Sequence, residues 1–301
     1  MMASSVWPNE PLTRFAFSPA AQHVLMSNTD RISLEPIGSL EKLPSEIILQ
    51  ILDQLDLQSL SRFSQVSFKA WRLVRGFQPY REILKHAPQF PHTLSATKLL
   101  KKYSALHIYS HIIASDRCSS CLCFGVFVFL PTCQRVCRPC FLEKIDFKMI
   151  TKDSAKQAFN LNDEQIASTA FYYSAVHEAA FVSFREGQEM AIRSRHRIFR
   201  EFELAVEKLY TNFFSTTVNS SAVHVPFPSE DGPDGGYHCT GCVALSGLAL
   251  VNTFSPQQVH AIHSMSNKQA MERGLRIYAK SEIMAHVQQC SGVEFLLKRE
   301  K

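Results

Sequence analysis

Residues 40–83 read LEKLPSEIILQILDQLDLQSLSRFSQVSFKAWRLVRGFQPYREI, and this stretch decides the first part of the fold. Pro44 follows Leu43 and suits the first turn of a helix, where a missing N–H costs nothing. Ile47, Ile48, Ile51, Leu52 and Leu55 then form a wide apolar stripe at helical spacing. Asp56 is placed to cap a second helix carrying Leu57, Leu60 and Phe63. Ser67 caps a third, with Phe68, Trp71 and Val74 expected to face inward. Three helices of about ten residues bury little surface alone and need a partner to be stable.

Around this stretch the chain is ordinary in bulk. Its 301 residues predict two or three domains, and 46% apolar residues exclude wholesale disorder. The longest apolar run, residues 124–130, ends at Pro131, far short of the ~18 residues of a membrane helix. The first residues, MMASSVWPNEPLTRFAF, lack the basic and apolar regions of a secretory signal. The expectation is a cytoplasmic or nuclear protein without a membrane partner. The formal charge is +5, but residues 86–160 hold ten basic residues against four acidic ones. With 11 Gly and no GxGxxG, GxxxxGK[ST] or GxSxG, nucleotide-binding and serine-hydrolase readings find no support.

Composition divides the chain further. Residues 1–38 read as a mobile tail, and 40–85 as the three-helix unit. Residues 86–115 are helical, with Leu94, Leu99, Leu100, Tyr103 and Leu106 at mixed three- and four-residue spacing. Within 86–214, the part from 151 onward is expected to be helical, ending in a long helix with Phe199, Phe202, Val206, Leu209 and Phe213. Arg193, Arg195, His196, Arg197 and Arg200, followed by Glu201, Glu203 and Glu207, read as a charged helix face. Residues 215–236 are rich in Pro, Gly and Ser and read as a linker, and 237–301 as a smaller Cys/His unit. The expected class is mainly α with small β.

The nine Cys point to metal rather than disulfides. Cys118-x2-Cys121 and Cys137-x2-Cys140 are fifteen residues apart, and a two-residue gap turns the chain so that both thiolates reach one ion. Four soft ligands leave no open position, which describes a structural zinc site. Between the knuckles, residues 124–130 predict a strand of a small hairpin, and the stretch from Cys140 opens a helix, giving a treble-clef-like module. Cys123 and Cys133 are ambiguous extras. Cys239-x2-Cys242 and His286-x3-Cys290 make a second, three-Cys one-His set, with His238, His260 and His263 competing for the fourth position. The HxxxC spacing places both ligands on one helical face. His177-Glu178 begins like HExxH but lacks the second His, which removes a zinc-protease reading.

The segment 40–85 resembles an F-box, through its Leu43-Pro44 start, the Glu46-Ile47-Ile48 step, the turn at 55–57, Val66-Ser67 and Trp71. The resemblance implies docking onto the Skp adaptor of a cullin–RING ubiquitin ligase, with Leu43, Pro44, Ile47, Ile48, Ile51 and Leu52 matching the family's pattern. Residues 149–166 are similar to the element that follows the zinc finger in the xeroderma pigmentosum group A family of repair factors. Ile150, Thr151, Lys152, Ala155, Lys156, Gln157, Leu161 and Asp163 carry this match, with nine residues between Cys140 and Ile150. The C-terminal Cys/His unit resembles the zinc unit of many fungal F-box proteins.

These readings combine into an expected non-catalytic ligase subunit with two structural zinc ions. It would dock the adaptor through 40–85 and hold an unknown protein target with the zinc-stapled region. No nucleophile–base–orienter set is visible; Cys290 beside His286 is the one candidate pair. The alternative is a nucleic-acid-binding or damage-recognition module, with Arg138, Lys144, Lys148, Lys152 and Lys156 contacting an acidic partner.

Overall fold

The computed structural model describes residues 3–4, 37–159, 161–167, 172–174, 179–193, 221–251 and 266–299. A 3-10 turn at Gly38–Lys42 leads into α1 (Ser45–Gln54), α2 (Leu57–Phe63), α3 (Phe68–Gly76) and α4 (Gln78–His86). Pro44 stands at the N-cap of α1. The expected side-chain caps form: Asp56 accepts from the Ser59 N–H at 2.9 Å, and Ser67 from the Ala70 N–H at 3.2 Å. Each such cap contributes about 1 kcal/mol.

The third helix is turned differently from its expected orientation. Ala70 and Val74 are buried, whereas Phe68 and Trp71 are 37% and 38% exposed and stack on each other at 5.7 Å. Ala70 and Val74, four residues apart, share the inward stripe, which leaves Phe68 and Trp71 on the neighbouring face.

The chain continues through α5 (Phe90–Ala96) and α6 (Ala105–Ile108), the latter extended by a π turn at Tyr109–Ile113. Leu94, Leu99 and Tyr103 are buried, but Leu106 points outward. The Leu57 N–H donates to the Tyr103 carbonyl at 3.1 Å, fastening α2 to this region. The hairpin of β2 (Phe127–Phe129) and β3 (Gln134–Val136) follows, then α7 (Arg138–Glu143).

Residues 149–193 are not purely helical. Between α8 (Lys152–Ala158), α9 (Asp163–Ala167) and α10 (Phe184–Arg193), the strands β4 (Met149–Thr151), β5 (Tyr172–Ser174) and β6 (Ala179–Ser183) form an antiparallel sheet in the order β4-β6-β5. Ile150 lies opposite Val182. Short apolar runs do not distinguish strand from helix by periodicity, and pairing to β4 decides here.

From 221 to 236, the described part of the stretch read as a linker forms strands. β7 (Ala222–His224) adds a third strand beside β2, and β8 (Phe227–Ser229) pairs with β9 (Gly232–Asp234). Gly236, at φ 82°, lets the chain pass close to the Ile277 side chain, where a Cβ would clash at 2.2 Å. Beyond it come β10 (Tyr237–Cys239), α11 (Thr240–Val251), α12 (Asn267–Leu275), β11 (Ile277–Tyr278), α13 (Lys280–Gln288) and α14 (Ser291–Arg299). β10 runs between β1 (Ala3–Ser4) and β11.

The described residues are mainly helical with small sheets. One apolar cluster runs from Leu52, Leu57 and Val74 through Phe90 and Ile108 to the β2–β3 hairpin, and on to Ala222, Val225, Ile277 and Ala279. Lys102 pairs with Glu186, and the Tyr103 hydroxyl donates to the Pro131 carbonyl, crossing the same junction. Outside the described residues lie the tail apart from 3–4 and 37–38, the helix expected over 199–213, and His177, Arg195, His196, Arg197, Arg200, His260 and His263.

Candidate metal centres and outer helical face

Cys118, Cys121, Cys137 and Cys140 converge, with all four sulfurs within 4.8 Å of one another. Cys121 Sγ and Cys137 Sγ are 3.5 Å apart. Zinc–sulfur arms of about 2.3 Å give tetrahedral edges near 3.8 Å, so the donor set fits zinc. The first pair lies on a tight turn in which the Leu122 N–H donates to the Cys118 carbonyl at 3.0 Å and Leu122 adopts φ 62°. The β2–β3 hairpin returns the chain, Cys137 stands at the N-cap position of α7 without a side-chain cap, and Cys140 falls in its first turn. Knuckle, hairpin and helix thus follow in treble-clef order.

The sulfurs polarise one another. The Cys137 thiol donating to Cys118 holds Cys118 well below the usual thiol range, at about 4, and the same contact drives Cys137 upward. Burial and the Cys118 charge push Cys140 up to about 12. A single thiolate is favoured among crowded thiols, and a dication is what allows the others to ionise. Cys133 is outside the set: it is wholly buried, its thiol faces the Leu130 carbonyl at 3.6 Å, and burial raises it far above its usual range. Cys123, half-buried, is also outside it.

The second set is Cys239, Cys242, His286 and Cys290. Cys239 ends β10, Cys242 lies in the first turn of α11, His286 near the end of α13, and Cys290 just before α14. Cys242 Sγ lies 3.5 Å from Cys290 Sγ and 3.3 Å from His286 Nε2, and Cys239 Sγ lies 3.6 Å from Cys290 Sγ. Cys242 holds Cys239 down at about 4 and is itself raised by that contact. His286 joins the set in preference to His238, its ring stacked on Tyr278 at 4.1 Å. Backbone meets backbone at Gly241 and Gly292, bringing α11 and α14 together beneath the donors. Arg117, beside the first set, pairs with Glu282 on α13 at 2.6 Å.

The basic residues are divided. Lys148 is buried and its ammonium donates to the Phe141 and Leu142 carbonyls at the end of α7, so it is not available to an acidic partner. Lys144 donates to Ser120 Oγ at 2.6 Å, and Lys156 pairs with Asp163 at 2.5 Å. Arg138 is partly buried, and Lys152 is exposed at the start of α8.

On α1, the residues expected to meet an adaptor separate. Leu52 is 1% exposed and belongs to the core, and Ile48 packs against it. Ile47 and Ile51, at 40% and 38%, are exposed together with Leu49, while Pro44 is exposed and Leu43 intermediate. Val66, Phe68 and Trp71 add exposed apolar surface beyond the expected set, and the Arg75 guanidinium lies 5.3 Å from the Trp71 ring centre. Sequence spacing assigned these rings to the core. The signal against that reading was Ala70, a small residue suited to the helix contact.

Residues 40–82 match the family model of the F-box domain. No curated protein and no solved structure matches the chain. The match covers α1 to α3, ends within α4 and stops before both candidate metal centres. Within the F-box, the exposed residues Ile47, Leu49, Ile51, Val66, Phe68 and Trp71 stand out, since large apolar groups exposed in numbers mark interaction surfaces. No helix among the described residues is long and apolar enough to cross a membrane.

Proposed function

We propose that this chain is an F-box substrate receptor, a non-catalytic subunit of a cullin–RING ubiquitin ligase. The F-box at 40–82 supports docking to the Skp adaptor and, through it, to a cullin. Ile47, Ile51, Phe68 and Trp71 supply the apolar contact, and Leu43, Pro44 and Ile48 frame it. Two zinc ions, one on Cys118, Cys121, Cys137 and Cys140 and one on Cys239, Cys242, His286 and Cys290, staple the target-holding region. With four donors at each centre, these residues would neutralise their thiolates against a bound ion and would leave it no open position for chemistry. Ubiquitin transfer belongs to other subunits.

The single observation that carries the reading is the exposed Phe68–Trp71 stack within the matched F-box. Co-expression with the Skp adaptor, size exclusion and metal analysis of the peak test it. A stoichiometric complex with two zinc ions per chain is expected, and Ile47→Asp with Trp71→Ala should abolish it without changing zinc content. Folded, zinc-loaded chain that ignores the adaptor would sink the reading. Retention on DNA that weakens steeply above ~50 mM salt would then favour the nucleic-acid alternative.

A further inference from the structure

Cys123 stands beside the first metal centre but outside its four-donor set. It is half-buried and follows Cys121 by two residues. Its carbonyl accepts from the Cys118 N–H at 2.7 Å, so it closes the turn that carries the first two donors. Burial raises the Cys123 thiol, and the Cys121 sulfur acts on it directly as a hydrogen-bond partner. Two sulfurs therefore face each other, one inside the donor set and one outside it.

The pair has the reach of a disulfide. Residues two apart are separated by at most about 7 Å between Cα atoms in a fully extended chain, and disulfides span about 4.4–6.8 Å. Leu122, at φ 62°, turns the chain between the two and shortens that separation. Access is one-sided as well. Cys118, Cys137 and Cys140 are buried, whereas Cys121 is exposed. A small soluble oxidant meets Cys121 first, and a Cys that serves as a metal donor is already a thiolate.

We propose that Cys121 and Cys123 form a peroxide-sensitive pair whose disulfide dismantles the first metal centre. The Cys121 thiolate attacks one oxygen of hydrogen peroxide, the O–O bond breaks, and a Cys121 sulfenic acid and hydroxide result. The Cys123 sulfur then attacks the Cys121 sulfur, the S–O bond breaks, and the Cys123 proton leaves with the hydroxyl as water. Two sulfurs are oxidised to the disulfide, and one peroxide is reduced to water and hydroxide. Only Cys118, Cys137 and Cys140 then remain as donors. The second centre has no such partner: Cys239, Cys242 and Cys290 are all donors, and Cys133 is sealed against the Leu130 carbonyl. The inference rests on the zinc reading above and adds the condition that reverses it.

The test exposes the zinc-loaded full chain, with Cys123→Ser in parallel, to hydrogen peroxide and follows released zinc with a chromogenic chelator. Both proteins should start with two ions per chain, since Cys123 is not a donor. Peroxide should release one ion from the parent and join Cys121 to Cys123 within the tryptic peptide that follows Arg117 and ends at Arg135. Dithiothreitol with added zinc should restore the ion. Cys123→Ser should keep both ions over the same exposure. The inference is overturned if Cys123→Ser loses zinc as fast as the parent, if the disulfide joins two donors and leaves Cys123 reduced, or if both centres empty together. A first centre empty before peroxide removes the zinc reading and the inference together, and a filled centre that ignores peroxide removes the inference alone.

Discussion

The Arg135 guanidinium donates to the Ile112 carbonyl at 2.7 Å, joining the β2–β3 hairpin to the π turn after α6. Its other nitrogens reach the Gly125 and Val225 carbonyls, each at 2.8 Å, and Pro226 at 3.5 Å. Burial lowers it to about 10, still well above neutrality, so it remains charged. A fork with five donors satisfies carbonyls from three segments, which three donors on a lysine cannot. Arg135→Lys is expected to lose about 2 kcal/mol or more and Arg135→Met more still, read from urea denaturation. A loss below about 0.5 kcal/mol for both would show that water satisfies these carbonyls.

Gly241 fixes the second metal centre. A Cβ there would lie 2.3 Å from the Val293 nitrogen and 2.5 Å from the Gly292 carbonyl carbon, backbone atoms that cannot swing aside. Gly241→Ala should therefore lower zinc content from two ions to one per chain. Gly247, with nothing within 4 Å of its Cβ position, is the control. Gly247→Ala should keep both ions and gain up to about 1 kcal/mol from helix propensity.

Burial holds His107 and His224 below the ordinary imidazole value of 6.5, with Arg135 adding to the effect at His224. In the window below 6.5 the unfolded chain binds protons that the folded chain refuses, so stability falls as pH falls. The loss stops once both folded imidazoles protonate. Denaturant melts across about pH 5–8 should show this slope, and His224→Phe should flatten it. Identical slopes for variant and parent would remove His224 as a source.

Leu122 holds φ 62° at the end of the first knuckle and is 72% exposed. A left-handed conformation costs a residue with a Cβ about 1–2 kcal/mol. Leu122→Gly should raise the melting temperature slightly and tighten zinc, because the relief exceeds the ~0.5–1 kcal/mol entropy penalty of glycine. Chelator competition measures the second effect, and weaker zinc retention in the variant would refute it.

Much of the site was legible because metal-ligand spacing is a local code. The two CxxC pairs and His286-x3-Cys290 assemble as read, since the turn and the helix that present them are encoded within a few residues. The caps at Asp56 and Ser67 are local in the same way. What failed was non-local. Phe68 and Trp71 are apolar and helical, and only the packing around Ala70 turns them outward. Lys148 reads as a surface cation until the end of α7 closes over it. Ala222–His224 and Ala179–Ser183 become strands because distant partners, β2 and β4, offer them edges.

The apolar cluster that runs unbroken from Leu52 to Ile277 bears on how this protein can be dissected. A cut after His86 would strip the N-terminal helices of Tyr103, whose carbonyl holds Leu57, and bare the surfaces that meet the hairpin. Neither piece would keep the packing it has in the whole chain, so a fragment that fails to bind would say nothing against the proposed function. The same continuity ties the exposed apolar face of α1 and α3 to the hairpin of the first cysteine set through one packed core, so neither can shift without the other. Point substitutions at exposed positions such as Ile47 and Trp71, rather than truncations, are the instruments that leave this core intact.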